Sequence, residues 1–302
     1  MSQKVVKNTA HSVRQRLMNR AKSEKRPFSE LLQYFTMERF LYRLSESPHA
    51  DRFILKGSMM LKTWGSPEIR PTMDIDMLGR TSNEEAALAE QIRDILSVEV
   101  EPDGLIFDPT SIQTERITED TDYKGIRIQF LGKLDPAKIR IQIDIGFGDI
   151  VYPKPERSEL PVMLDFPTPR LLCYSRESAI AEKFETMLKL RELNSRMKDF
   201  YDIWLLSRQF SFEGKVLAEA IRLTLEKRGT GIPDTIPSFS EEFAQIKQVQ
   251  WEAFLKKVKQ DNVPENFSEV ATQVKNFLFP ISFALTSNSI APVEWAPPGP
   301  WK

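Results

Sequence analysis

The chain has 302 residues, of which 41% are hydrophobic and 28% charged, with a net charge of −1 at pH 7; this is the composition of a folded globular protein, long enough for one large domain or two of ordinary size. The near-neutral balance argues against a molecule that binds polyanions with its whole surface. A single cysteine, Cys173, excludes an internal disulfide framework and a cysteine-cluster zinc site, and no apolar run approaches the roughly 18 residues of a membrane helix.

The N-terminus lacks a signal-peptide core, so a cytoplasmic protein without membrane attachment is expected. Both histidines, His11 and His49, sit in polar surroundings and are expected at the surface. A Ser-His-Asp triad is poorly supported, and carboxylates with bound metal are the favoured machinery if the chain is an enzyme. Residues 1–26 hold eight basic side chains against one acid, Glu24. That segment is read either as a solvated helix face or as a contact for phosphates.

In chain order, Ser12 to Ala21 has helical spacing, and Ser29 to Leu44 has a broad apolar face (Leu31, Leu32, Phe35, Met37, Phe40, Leu41, Leu44) with Ser29 as a possible cap. Arg52 to Leu55 reads as a short buried strand and Met59 to Thr63 as the start of a helix. Gly57-Ser58 lies at the turn between them. Thr72 to Leu78 is the next strand, with Met73, Ile75 and Met77 toward the core and Asp74 and Asp76 on the other face. Glu84 to Leu96 is an amphipathic surface helix. Strands over Ile126 to Leu131 and Ile139 to Ile145 alternate, which implies a sheet covered on one side and open on the other, with Asp144, Gln142 and Arg140 on the open face.

Tyr152 to Pro169 is proline-rich and reads as an extended connection. Helices are expected over Ser178 to Leu193, Met197 to Phe210, Phe212 to Glu226, Ser240 to Val258 and Ser268 to Phe279, followed by a proline-rich irregular tail. The fold class is therefore α+β: a mixed-sheet lobe with flanking helices and a C-terminal helical lobe. The expected boundaries are 1–48 for N-terminal helices packed on the sheet lobe, 49–165 for that lobe, 166–285 for the helical lobe and 286–302 for the tail.

Two carboxylates at i and i+2 of a strand, with a third from a neighbouring strand, suit divalent ions. Asp74, Asp76 and Asp144 form such a set, although Asp-x-Asp alone also occurs as two solvated acids. Gly57-Ser58 at a strand-to-helix turn suits a phosphate, or is an ordinary turn with Ser58 as N-cap. At about 100° per residue, Lys183 emerges among Ala179, Ile180, Phe184, Met187 and Leu190. A lysine in an apolar arc needs an anionic partner, which is either a bound triphosphate or a buried acid. Asp199 repeats the oddity on the next helix, so the two face each other or a cleft.

Several segments resemble the AbiEii/AbiGii nucleotidyltransferase toxins of the DNA polymerase β-like superfamily. They are Gln15-Arg-Leu-Met-Asn19, Met37 to Pro48, Phe53-Ile-Leu-Lys-Gly-Ser58, Arg70-Pro-Thr-Met-Asp-Ile-Asp76, Ile141-Gln-Ile-Asp-Ile-Gly146, Ala181-Glu-Lys-Phe-Glu185 and Arg196 to Ile203. The resemblance implies a nucleotidyltransferase lobe joined to a helical bundle, NTP and Mg²⁺ (or Mn²⁺) as ligands, and an RNA acceptor, with tRNA the acceptor in related toxins. It also implies a toxin–antitoxin or phage-defence setting, with a winged-helix antitoxin encoded nearby that acts on transcription.

Residue by residue, the resemblance assigns Gly57 and Ser58 to the phosphate turn, Asp74 and Asp76 to the metal pair, Asp144 to the third acid, Lys183 to the helical-lobe lysine, and Asp199 and Asp202 to the late acidic motif. Fifteen residues separate Ser58 from Asp74, more than is usual in the superfamily, and the extra loop leaves Arg70 placed to reach phosphate. A metal-dependent nuclease and a catalytically idle nucleotide- or partner-binding module are the alternative readings.

Overall fold

The computed structural model describes residues 3–66, 71–119, 123–258 and 262–302. It divides into a sheet unit, residues 1–148 with 156–173, and a helical unit, residues 149–155 with 174–302.

The sheet unit opens with α1 (Gln3–Ser23) and α2 (Phe28–Ser45). It continues through β1 (Phe53–Lys56), α3 (Met59–Thr63), β2 (Ile75–Gly79) and α4 (Glu85–Leu96), then β3 (Ile106–Glu119), β4 (Tyr123–Leu134) and β5 (Ala137–Phe147). β6 (Glu156–Glu159) and β7 (Arg170–Cys173) complete one seven-stranded sheet in the order β3-β4-β5-β2-β1-β7-β6. β2 runs parallel to β5 and β1 parallel to β7, while the other neighbours are antiparallel.

The alternation expected in the middle of the chain sets the layers. Ile126, Ile128 and Phe130 of β4 and Ile139, Ile141, Ile143 and Ile145 of β5 are buried, while Arg127, Gln129, Arg140, Gln142 and Asp144 lie on the more open face. α2 packs on the apolar side, where the rings of Phe40, Phe107 and Phe130 cluster with centroids 5.2–6.5 Å apart. Gly132 allows this close approach, since a Cβ there would lie 3.0 Å from Thr36 Cγ2 of the helix.

α2 is also anchored electrostatically. Asp103, 1% exposed, accepts from Arg39 Nε at 3.1 Å and from Arg43 at 2.7 and 3.2 Å, while Arg39 also donates to the Pro167 carbonyl at 2.8 Å.

Several expectations are corrected. Ser29 does not cap α2, whose N-cap position is Pro27 with no side-chain hydrogen bond. The strand expected from Thr72 begins only at Ile75, so Met73 escapes the alternation and is 55% exposed. His49 is buried and its Nε2 lies 2.9 Å from Asp94. β3 was not foreseen: it is a polar edge strand carrying Pro109, and its register with β4 shifts between Asp108 and Gln113, as proline in an edge strand favours.

The proline-rich stretch folds back on itself, β6 pairing with β7 and β7 lying beside β1. Residues 156–173 thus belong with the sheet unit. The thiol of Cys173 is pushed up to about 11 by burial, so it is protonated at neutral pH and no nucleophile.

The helical unit contains α5 (Arg176–Leu190), α6 (Met197–Gln209), β8 (Phe212–Glu213), α7 (Gly214–Arg228), α8 (Glu241–Val258), α9 (Phe267–Ser287) and β9 (Glu294–Trp295). α5 is capped by Ser175 Oγ, which accepts from the Ser178 N–H. The C-terminal segment is more ordered than its composition suggested. β9 pairs with β8, and Trp295 is 1% exposed against Phe277 and Trp301, its Nε1 donating to the Ser207 carbonyl at 2.6 Å.

Replacing Asp103 by alanine leaves two buried guanidinium groups without their shared anion. The expected loss is about 3–5 kcal/mol of stability, read as a lower urea midpoint with α2's helical signal melting in the same transition.

Candidate active site

β1, β2, β5 and β4 bring their open-face residues into one transverse row. The register pairs Lys56 with Asp76, Asp76 with Asp144, and Asp144 with Arg127. Two aspartates therefore stand directly opposite each other in the parallel β2–β5 pair, flanked on either side by a cation's position. Asp74 joins them from the bend before β2. Carboxylate oxygens of Asp74, Asp76 and Asp144 lie within 4.8 Å of one another, all three side chains half-buried.

Arg127 holds Asp144 by a two-pronged contact, Nε donating to Oδ1 at 2.9 Å and an Nη to Oδ2 at 2.8 Å. Gln142 adds a donor to Oδ2 at 3.3 Å. Hydrogen bonding to Asp144 keeps the Arg127 guanidinium above its ordinary pKa. Alternation along the strand puts Arg127 on its polar face but does not give the register that sets it opposite Asp144.

Beside the carboxylates, Gly57 has φ +75°, and a Cβ built there would lie 2.0 Å from Asp76 Oδ2. Glycine is required for both reasons. The next side chain, Ser58, is 3% exposed, and among the described residues its Oγ has no hydrogen-bond partner. A buried hydroxyl left unsatisfied costs about 1–3 kcal/mol, so it fits a site where a ligand oxygen completes it. α3 has only five residues, and its dipole therefore adds little to the phosphate turn expected there.

A divalent ion fits this donor set. Three carboxylates converge from β2, β5 and the bend before β2, oxygen ligands of the kind Mg²⁺ and Mn²⁺ prefer.

In the helical unit, Lys183 Nζ lies 3.1 Å from Asp199 Oδ1 and 2.9 Å from Asp202 Oδ2, and Arg196 Nε lies 2.6 Å from Asp199 Oδ2. The anion required by a lysine in an apolar arc is thus supplied by α6. Of the two readings open from the sequence, the structure shows the one in which Lys183 and Asp199 face each other. Burial alone would raise the Asp199 carboxyl, but Lys183 and Arg196 outweigh it and hold the group below its usual value. Arg70 lies outside the described residues.

The comparisons with known proteins decide the family. The model of the family described as nucleotidyl transferase AbiEii toxin, type IV TA system, matches residues 39–273, well over half of the chain. The chain belongs to this AbiEii family of nucleotidyltransferases.

The solved structures matched include two Helicobacter pylori proteins. One, described as a candidate nucleotidyltransferase, is 13% identical, with 86% of this chain and 98% of that chain covered and a TM-score of 0.45. The other, JHP933, is 15% identical, with 85% and 94% covered and a TM-score of 0.45. No curated protein matches. The AbiEii match spans β1, β2, β5, α5 and α6, and so every site residue described above.

Two outcomes are expected. Gly57→Ala forces a methyl group against the Asp76 carboxylate and should abolish Mn²⁺ binding in a calorimetric titration while leaving the circular dichroism of the chain unchanged. Because the folded-state pKa of Asp199 is depressed, its stabilisation is fully present above the unfolded value of about 3.9. It fades as pH falls below that value and through the lower folded one, so Asp199→Asn should unfold at lower urea than the parent at pH 7 and lose this part of the acid dependence below about pH 4.

Proposed function

We propose that this AbiEii-family enzyme transfers a nucleoside monophosphate from an NTP to a hydroxyl group of an RNA, with tRNA the favoured acceptor, releasing pyrophosphate. The observation that carries the reading is the convergence of Asp74, Asp76 and Asp144 beside the Gly57 turn and the unsatisfied Ser58 hydroxyl.

In this reading Asp74, Asp76 and Asp144 hold Mg²⁺ or Mn²⁺. The bound ion would neutralise charge on the triphosphate and favour in-line attack. Gly57 lets the backbone approach the phosphates, and Ser58 Oγ donates to a phosphate oxygen. Asp144 already accepts from Arg127 with both oxygens, which suits it to orienting the ion's ligands.

Lys183, whose ammonium is paired with Asp199 and Asp202, is assigned to the nucleotide on the strength of the family resemblance, and Arg70 because the long loop before Asp74 carries it. The reading extends to a cytoplasmic toxin countered by a winged-helix antitoxin encoded nearby. Among the described residues no helix is long and apolar enough to cross a membrane.

The test incubates the protein with each α-labelled NTP, Mg²⁺ and total RNA. Label should enter one RNA class, and Asp76→Ala should reduce transfer by at least about 100-fold with the fold retained by circular dichroism. Undiminished transfer by that variant overturns the assignment. Cleavage of RNA in Mg²⁺ without NTP identifies a nuclease instead, and absence of Mg²⁺-dependent NTP binding identifies an idle binding module.

A further inference from the structure

Asp76 and Asp144 are fixed by the hydrogen-bonded ladder between β2 and β5, whose register pairs them. Asp74 lacks this support, because β2 begins only at Ile75. A carboxylate on a bend would sample several positions, and a misplacement of about 1 Å at a reacting centre costs as much as about 100-fold in rate.

The bend is instead clamped from α2. The Gln33 amide donates to the Met73 carbonyl at 3.1 Å and to the Arg140 carbonyl of β5 at 3.0 Å, tying the bend to the strand that carries Asp144. The Thr72 N–H donates to the Tyr34 hydroxyl oxygen at 3.1 Å, and Thr72 Oγ1 donates to Asp74 Oδ1 at 2.6 Å. All three supporting side chains are at least nine-tenths buried: Gln33 is 7%, Tyr34 4% and Thr72 6% exposed. The Tyr34 ring is itself held, with the Arg26 guanidinium 5.5 Å and the Lys62 ammonium 6.0 Å from its centroid.

We propose that Thr72 and Tyr34 are positioning residues that aim the Asp74 carboxylate at the bound ion, with Gln33 fixing the bend on which they act. The inference rests on the metal reading of the three carboxylates. Thr72 Oγ1 occupies one acceptor direction at Oδ1 and restrains the carboxylate, whose remaining lone pairs are left for an ion shared with Asp76 and Asp144. Residues that orient metal ligands in this way typically contribute about 10–100-fold to metal affinity. They need not touch substrate, and neither Thr72 nor Tyr34 is assigned a chemical step.

The experiment measures Mn²⁺ binding to the full chain from the electron paramagnetic resonance signal of the free ion, so that no turnover is needed. The parent should bind and Asp74→Asn should lose that binding. Thr72→Val, which keeps the shape and removes the hydroxyl, should weaken binding about 10–100-fold, and Thr72→Ser should restore parental affinity. Tyr34→Phe should weaken binding less than Thr72→Val and serves as the second variant.

Equal affinity in the parent and in Thr72→Val overturns the proposal. So does a serine variant no better than valine, which would mark the contact as packing alone. A parent that binds no Mn²⁺ overturns the metal reading itself, and the clamp falls with it. A parent that binds Mn²⁺ through Asp74 but ignores Thr72 overturns the clamp alone.

Discussion

Three carboxylates gathered within 4.8 Å repel one another, and the sheet unit is arranged around that repulsion. Two unit charges at such a distance repel by about 3–4 kcal/mol at an effective dielectric constant of about 20, and like charges directly opposite each other across a strand pair are unfavourable. The sheet offsets the cost with neighbours of opposite sign. Arg127 takes Asp144 with two hydrogen bonds, and Lys56 stands at the register position beside Asp76. A folded chain that concentrates anionic oxygens in this way has built a preference for a cation before any arrives.

The same constraint explains how the backbone is used. A glycine at φ +75° leaves room for the Asp76 carboxylate, while α2 reaches from the apolar side to hold the bend that carries Asp74. α2 in turn depends on the buried Asp103 between Arg39 and Arg43. The ionic anchor, the helix, the bend and the Asp74 carboxylate are consecutive links in one chain of contacts.

Much of the site was legible in the sequence because period-2 alternation states which side chains share a face. It placed Asp144 on the open face with Arg140 and Gln142, and it separated Asp74 and Asp76 from Ile75 and Met77. It could not show where a ladder begins, which is why Met73 was expected inside and Asp74 on the strand. Nor could it give register, the property that sets Arg127 opposite Asp144. Periodicity exposed Lys183 as a misplaced charge but left its partner open between a ligand and an acid sixteen residues on. The strands toward the two ends of the sheet are the least visible: the edge strand β3 is polar and interrupted by Pro109, and β7 and the edge strand β6 are four residues each and bordered by proline, too short for a hydrophobic pattern.

The chain passes between the sheet unit and the helical unit at 148/149, at 155/156 and again at 173/174. β7, which pairs with β1 next to the Gly57 turn, is thus encoded after a segment of the other unit has already been made. No single recombination point separates the two units intact, and a chain released from the ribosome before residue 170 would lack the strand that covers one side of β1.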